Sequence, residues 1–201
     1  MQNMSWNRMG VMAVVGFASG LPLALSGGTL QAWLTAEGVD ILTIGMFSLV
    51  GLPYVCKFLW APLLDRFVPA RLGRRRGWMF ISQISICTVL AIMAFTAPAS
   101  ATQLMAVLAC LLALCSATQD VAADAYRADL LAPNERGLGA ALSVAGYRVA
   151  MLVSGGVALI IADQTGWTTA YLVMTGLMLS GILVSAFGPE PTHPAAMPGS
   201  L

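Results

Sequence analysis

Two aspartates and an arginine are spaced four and three residues apart in the stretch Ser116-Ala-Thr-Gln-Asp120-Val-Ala-Ala-Asp124-Ala-Tyr-Arg127-Ala-Asp129. On a helix turning about 100° per residue, Asp120, Asp124 and Arg127 fall within about 60° of one another. One face therefore carries two acids and a base. Acids beside a base in a medium poor in water can exchange protons and bind anions. Asp129 points to the opposite side, nearer the helix end, where a neighbouring run of arginines can meet it.

The elements that hold these charges are apolar. Of 201 residues, 58% are hydrophobic and 9% charged, against about 25% charged in ordinary soluble domains, and the mean hydropathy is +0.81. A crossing helix takes about 20 apolar residues, so the chain has room for about six and for no separate soluble domain. Apolar runs predict helices over Met9 to Leu34, Ile41 to Leu64, Trp78 to Thr96, Thr102 to Leu130, Leu138 to Ala162 and Thr168 to Phe187. The expected fold is all-α and integral to the membrane, a six-helix domain over 1–187. Residues 188–201, with four prolines, are expected to form a cytoplasmic linker or disordered tail. The single histidine, His193, lies there without partners for chemistry.

Charge sets the orientation. Arg66, Arg71, Arg74, Arg75 and Arg76 lie between the second and third helices, Arg136 between the fourth and fifth, and Arg8 before the first. The other three connections contain no lysine or arginine. By the positive-inside rule the basic segments, and hence both chain ends, are cytoplasmic. A net charge of +1 with clustered arginines excludes nucleic acid as the expected partner and leaves the lipid bilayer.

A charge at the centre of a crossing helix costs about 2.5 to 3.5 kcal/mol, so intramembrane charges are functional suspects. Arg148 stands about ten residues into the fifth helix, and Lys57 in the second either snorkels or joins the same site. Two readings fit the acids. The fourth helix continues through Asp129 with Asp120 near mid-membrane, or it leaves the membrane at Gln119 with the acids hydrated. In the first helix, Gly20 and Pro22 sit in a Gly-rich run suited to close packing or to a hinge. The third and sixth helices, nearly free of charge, suit lipid-facing positions.

No metal spacing, phosphate loop or nucleophile motif is present, so neither a cofactor nor enzymatic chemistry is expected. Intramembrane aspartyl proteases place their two acids on different helices, whereas these share one. Cys56, Cys87, Cys110 and Cys115 lie in apolar runs as packing residues.

The loop Ala61-Pro-Leu63-Leu-Asp65-Arg66, followed by Gly73-Arg74-Arg75-Arg76-Gly77, resembles the G-x-L-x-D-R-x-G-R-R signature of the major facilitator superfamily. Ala61 replaces the first glycine, and residues 67–72 lengthen the gap. Phe17-Ala-Ser-Gly-Leu-Pro22, Lys57-Phe-Leu-Trp60, Ser116-Ala-Thr-Gln-Asp120, Glu135-Arg136-Gly137 and Gly146-Tyr-Arg148 resemble the AmpG muropeptide permeases. Acetyl-coenzyme A transporters are the nearest alternative.

The resemblance implies the N-terminal six-helix half of a carrier, three helices plus an inverted three, with the first and fourth lining the cavity. It implies proton-coupled import of N-acetylglucosaminyl anhydro-N-acetylmuramyl peptides across the bacterial inner membrane for cell-wall recycling. Asp120 and Asp124 are then the proton-coupling pair, and Arg127, Arg148, Gln119 and Lys57 the substrate-binding set. Asp65, Arg66, Arg74 and Arg75, with Asp129, form a conformational latch. Such carriers have twelve or more crossings, so a missing C-terminal half or a second copy is the expected partner. The other class of reading is a structural or regulatory half-carrier that transports nothing itself.

Overall fold

The computed structural model describes residues 5–67 and 73–189; Arg71, His193 and the rest of the expected tail from 190 lie outside them, as does the side chain of Arg74. Among the described residues six helical spans are long and apolar enough to cross a membrane: Trp6–Ala36, Ile41–Leu59, Arg75–Ala94, Thr102–Leu130, Arg136–Thr165 and Trp167–Phe187.

The fourth span is the longest uninterrupted helix among the described residues, Thr102–Leu130, and it contains neither glycine nor proline. At 1.5 Å per residue its 29 residues reach about 43 Å, beyond the roughly 30 Å hydrocarbon layer. It therefore continues well past Gln119. Leu131 turns extended just before Pro133, where a helix stops.

The first span breaks, but not at the expected place. Helix Trp6–Ser26 runs straight through Gly20 and Pro22. The interruption is at Gly27, with φ −114° and ψ −113°, outside the helix and strand regions, after which Gly28–Ala36 resumes. The second span, read as one helix to Leu64, is a series of short pieces: helices Ile41–Met46, Leu52–Cys56 and Ala61–Arg66, with tight 3₁₀ turns Phe47–Gly51 and Lys57–Leu59 between them. Pro53 and Pro62 each fall in the first turn of a piece, where a missing N–H costs no hydrogen bond. The fifth span carries a π-turn at Val153–Val157 between Arg136–Leu152 and Ala158–Thr165.

Packing centres on the first span, which is far more buried than the second or the fifth. The third and sixth, expected to face lipid, pack extensively on each other, the third also on the fourth. Buried apolar side chains form two clusters. One includes Leu21, Leu25, Leu30, Ile86, Leu90, Leu112, Met174 and Met178. The other, toward the arginine-rich end, includes Met9, Met12, Val15, Met79, Ala122, Tyr126 and Leu130.

Candidate functional site

Glycines bring the first and fifth spans together. A Cβ built on Gly16 would stand 2.0 Å from the Ser143 carbonyl oxygen, one on Gly20 2.5 Å from that of Tyr147, and one on Gly146 2.1 Å from that of Ala13. Backbone therefore lies on backbone, as small residues four apart allow in a bilayer. Gly20 serves this contact and not a break in its helix. The consequence is positional: Ser143, Tyr147 and Arg148 of the fifth span are held beside Gly16 and Ser19 of the first.

Opposite them stands the acidic face of the fourth span, and together with Lys57 these residues line a cavity of about 480 Å³. Its wall includes Val15, Gly16, Ser19, Lys57, Asp120, Asp124, Arg127, Ser143, Tyr147, Arg148 and Met151. Five of the charges expected to form a site are thus brought to one place from three spans. Arg127 donates to the Asp124 carboxylate at 2.9 Å and to Ser143 Oγ at 3.4 Å, so the i,i+3 pair is tied to the fifth span. Asp124 is the exposed member and Asp120 the more buried one. Asp120 interacts as a charge with Lys57 and with Asp124, and Tyr147 interacts with Asp120 and Arg148.

Gln119 is not on this wall. It lies one residue before Asp120, about 100° round the helix, and is fully buried with neither end of its amide hydrogen-bonded to any described residue. A face shared by Asp120, Asp124 and Arg127 cannot also include it.

At the arginine-rich end, Arg75 bridges two carboxylates, Asp65 at the end of the second span and Asp129 on the fourth, the latter at 3.0 Å. Asp129 thus meets the loop as its side of the helix predicted. Arg66 is exposed. Three further contacts escaped the sequence reading. Arg76 donates to the carbonyls of Ser185 and Ala186, capping the end of the sixth span. Tyr126 donates to the Pro189 carbonyl at 2.6 Å. Glu135, almost fully buried, accepts from the Ser5 N–H at 3.0 Å, the Ala132 N–H at 3.2 Å and Arg8 at 3.4 Å. The Ser5 and Ala132 amides, then Arg8, hold its carboxyl below the ordinary carboxylate range. The signal for Glu135 was an acid in a short basic connection with Arg8 at the same membrane face.

A hydrogen bond joins the two irregular points. Thr29 Oγ1, just past the Gly27 break, donates to the Ser154 carbonyl in the π-turn at 2.6 Å. At the arginine-free end Trp33 stacks on Trp167 with centroids 5.6 Å apart, and Tyr171 donates to the Leu25 carbonyl.

The sequence profile of the Major Facilitator Superfamily matches residues 12–200. The chain is 50% identical over 195 residues to the anhydromuropeptide permease of Escherichia coli K12, covering 96% of this chain and 40% of that protein. It is 43% identical over 180 residues to a protein of Haemophilus influenzae described as uncharacterized, covering 90% of this chain and 42% of the other. To the putative transporter AmpG 4 of Rickettsia conorii it is 34% identical over 166 residues, covering 80% and 40%. The chain spans about 40% of the length of these relatives.

Proposed function

The chain belongs to the Major Facilitator Superfamily, and we propose that it forms one six-helix unit of a proton-coupled carrier importing anhydro-muropeptides through the bacterial inner membrane. The observation that carries this reading is the cavity in which Asp120 and Asp124 stand among Lys57, Arg127 and Arg148. Three cations against two acids suit an anionic ligand, and a sugar-linked peptide brings carboxylates together with many neutral hydroxyl and amide groups. The relatives named as anhydromuropeptide permease and as AmpG transporters supply the substrate class.

Asp120, the more buried acid, takes the proton, and Asp124 holds Arg127 in place. Arg127, Arg148 and Lys57 answer substrate carboxylates. Neutralising Asp120 removes one negative charge from the wall and strengthens its pull on an anion, so proton and substrate favour the same state. Arg75 with Asp65 and Asp129 is the latch at the arginine-rich end, which we place in the cytoplasm with both chain ends. The exposed apolar side chains of the second and fifth spans, such as Leu52, Val55, Phe58, Val149 and Leu152, pack on a second six-helix unit.

The test is uptake of labelled anhydro-muropeptide into vesicles carrying the chain, with and without an imposed proton gradient, beside a full-length relative. In that relative the change equivalent to Asp120→Asn is expected to abolish accumulation driven by the gradient while leaving substrate exchange. Undiminished gradient-driven uptake would sink the coupling role.

A further inference from the structure

Four helices change character at one level. In the third and fourth spans the two apolar clusters are separated by polar residues: Met79 belongs to one cluster and Ile86 to the other, with Ser82 and Gln83 between, and Ala113 and Ala122 flank Ser116 and Gln119. Ser19 of the first span stands beside the same boundary, and Ser185 of the sixth lies past Met178. All six polar residues are buried. Measured from the Arg75–Asp129 pair at 1.5 Å per residue, Gln83 lies about 12 Å and Gln119 about 15 Å deeper, so the two amides share a depth on packed, facing helices.

This layer is only partly satisfied by protein. Ser185 Oγ donates to Gln83 Oε1 at 2.7 Å. Among the described residues Gln83 Nε2 and both ends of the Gln119 amide have no hydrogen-bond partner, while Ser116 is turned to the Tyr54 hydroxyl and Ser19 to the Asp120 carboxylate. An unpaired buried amide forfeits the hydrogen bonds it makes in water, and lipid offers no alternative partner. Groups of this kind are ordinarily joined by ordered water that makes about three hydrogen bonds. Gln83 is aimed at the first span, since a Cβ on Gly181 would lie 3.0 Å from its Nε2 and 2.6 Å from Ala18 Cβ. Ser19, next to Ala18 on the first span, lines the cavity together with Asp120 and is turned to its carboxylate.

We propose that the layer formed by Ser19, Gln83, Ser116, Gln119 and Ser185 binds internal water, which reaches Asp120 through Ser19 from the side away from the cavity. The inference rests on the reading of Asp120 as the coupling acid and adds a second route to it. With substrate filling the cavity, a proton still has a hydrogen-bonded path to Asp120. Gln119, next to the acid yet absent from the cavity wall, has its place here.

The experiment is infrared spectroscopy of the purified chain in lipid bilayers, recorded in ordinary water and in ¹⁸O water. Bands of isolated internal water shift with the oxygen isotope, whereas protein bands do not. The expected result is such a band in the wild type, lost in Gln119→Met and Gln83→Met, with Asp120→Asn shifting it. Ser185→Ala, a smaller change that releases Gln83 Oε1, is expected to shift it too. Absence of the band in the wild type, or a band unchanged in all the folded variants, overturns the proposal. Loss of the coupling role alone leaves the band in place, so the two failures are distinguishable.

Discussion

Replacing Gly16 by alanine adds one methyl group where the first and fifth spans touch backbone to backbone. The new Cβ would stand 2.0 Å from Ser143 O, 2.7 Å from its carbonyl carbon and 2.9 Å from its Cα, and ordinary contact begins at 3.4 Å. No side chain can turn aside to relieve this, so the helices part by about 1.4 Å at that level, from 2.0 to 3.4 Å. Overpacking of this kind costs about 1 to 3 kcal/mol, and a clash with backbone belongs at the upper end. Alanine returns about 1 kcal/mol of helix propensity, which leaves a net loss of about 2 kcal/mol. For a chain of this size that lowers the melting temperature by roughly 4 to 8 °C. Gly10→Ala on the same helix is the control, because nothing lies within 4 Å of its built Cβ. Thermal unfolding of the purified variants in one detergent, followed by tryptophan fluorescence, reads the difference. If Gly16→Ala melts together with Gly10→Ala, the glycine contact does not hold the cavity wall.

Three other outcomes follow from the same geometry. A double-mutant cycle between Arg75 and Asp129, both largely buried, should give a coupling of about 0.5 to 3 kcal/mol in unfolding measurements, whereas the half-exposed Asp65 should couple to Arg75 by no more than about 1 kcal/mol; equal coupling would contradict the burial difference. The Glu135 carboxyl, held below its ordinary value near 4.5, stabilises the fold above that value, and the contribution disappears as pH falls through the lower folded-state value. Melting temperatures of wild type and Glu135→Gln should therefore differ at neutral pH and converge in acid, and a gap that widens in acid would reverse the assigned sign. Thr29→Val keeps shape but removes the hydroxyl that donates to the Ser154 carbonyl, and should destabilise by about 1 to 3 kcal/mol in the same melts, with a neutral result showing that the π-turn carbonyl finds another donor.

What the sequence made legible was whatever a single helix decides by itself. The fourth span was read to the residue because an unbroken apolar run with no glycine or proline leaves the period undisturbed. The common face of Asp120, Asp124 and Arg127, and the separate side of Asp129, also follow from one helix's turn. Contacts between helices were not legible. Gly16, Gly20, Gly27 and Gly28 look alike in sequence, yet Gly20 packs on Tyr147 while Gly27 breaks the span. The second span read as a single helix because apolar content outweighed Pro53 and Pro62, which set where its short pieces begin. The resemblance places Gln119 in the substrate-binding set next to Asp120, but neighbours along a helix face different ways.

Three arginines show why residue type alone does not assign a role, and partner chemistry does. Arg75 and Arg76 are consecutive, yet Arg75 reaches carboxylates on two other spans, and Arg76 reaches the carbonyls that end the sixth. A carboxylate pair can part when both ions find water, so in the proposed cycle Arg75 is the contact that releases. Arg76 instead caps the carbonyls that end the sixth span, so in the proposed cycle it is the contact that ties the third and sixth spans. Arg127 differs again: its carboxylate partner lies on its own helix, and its second contact, to Ser143, is long at 3.4 Å. An arginine already oriented by a local acid, with one weak bond to another span, is free to exchange that bond for a substrate oxygen without unfastening its helix. In the proposed transport cycle Arg75 therefore suits the moving contact, Arg76 the fixed one, and Arg127 the ligand.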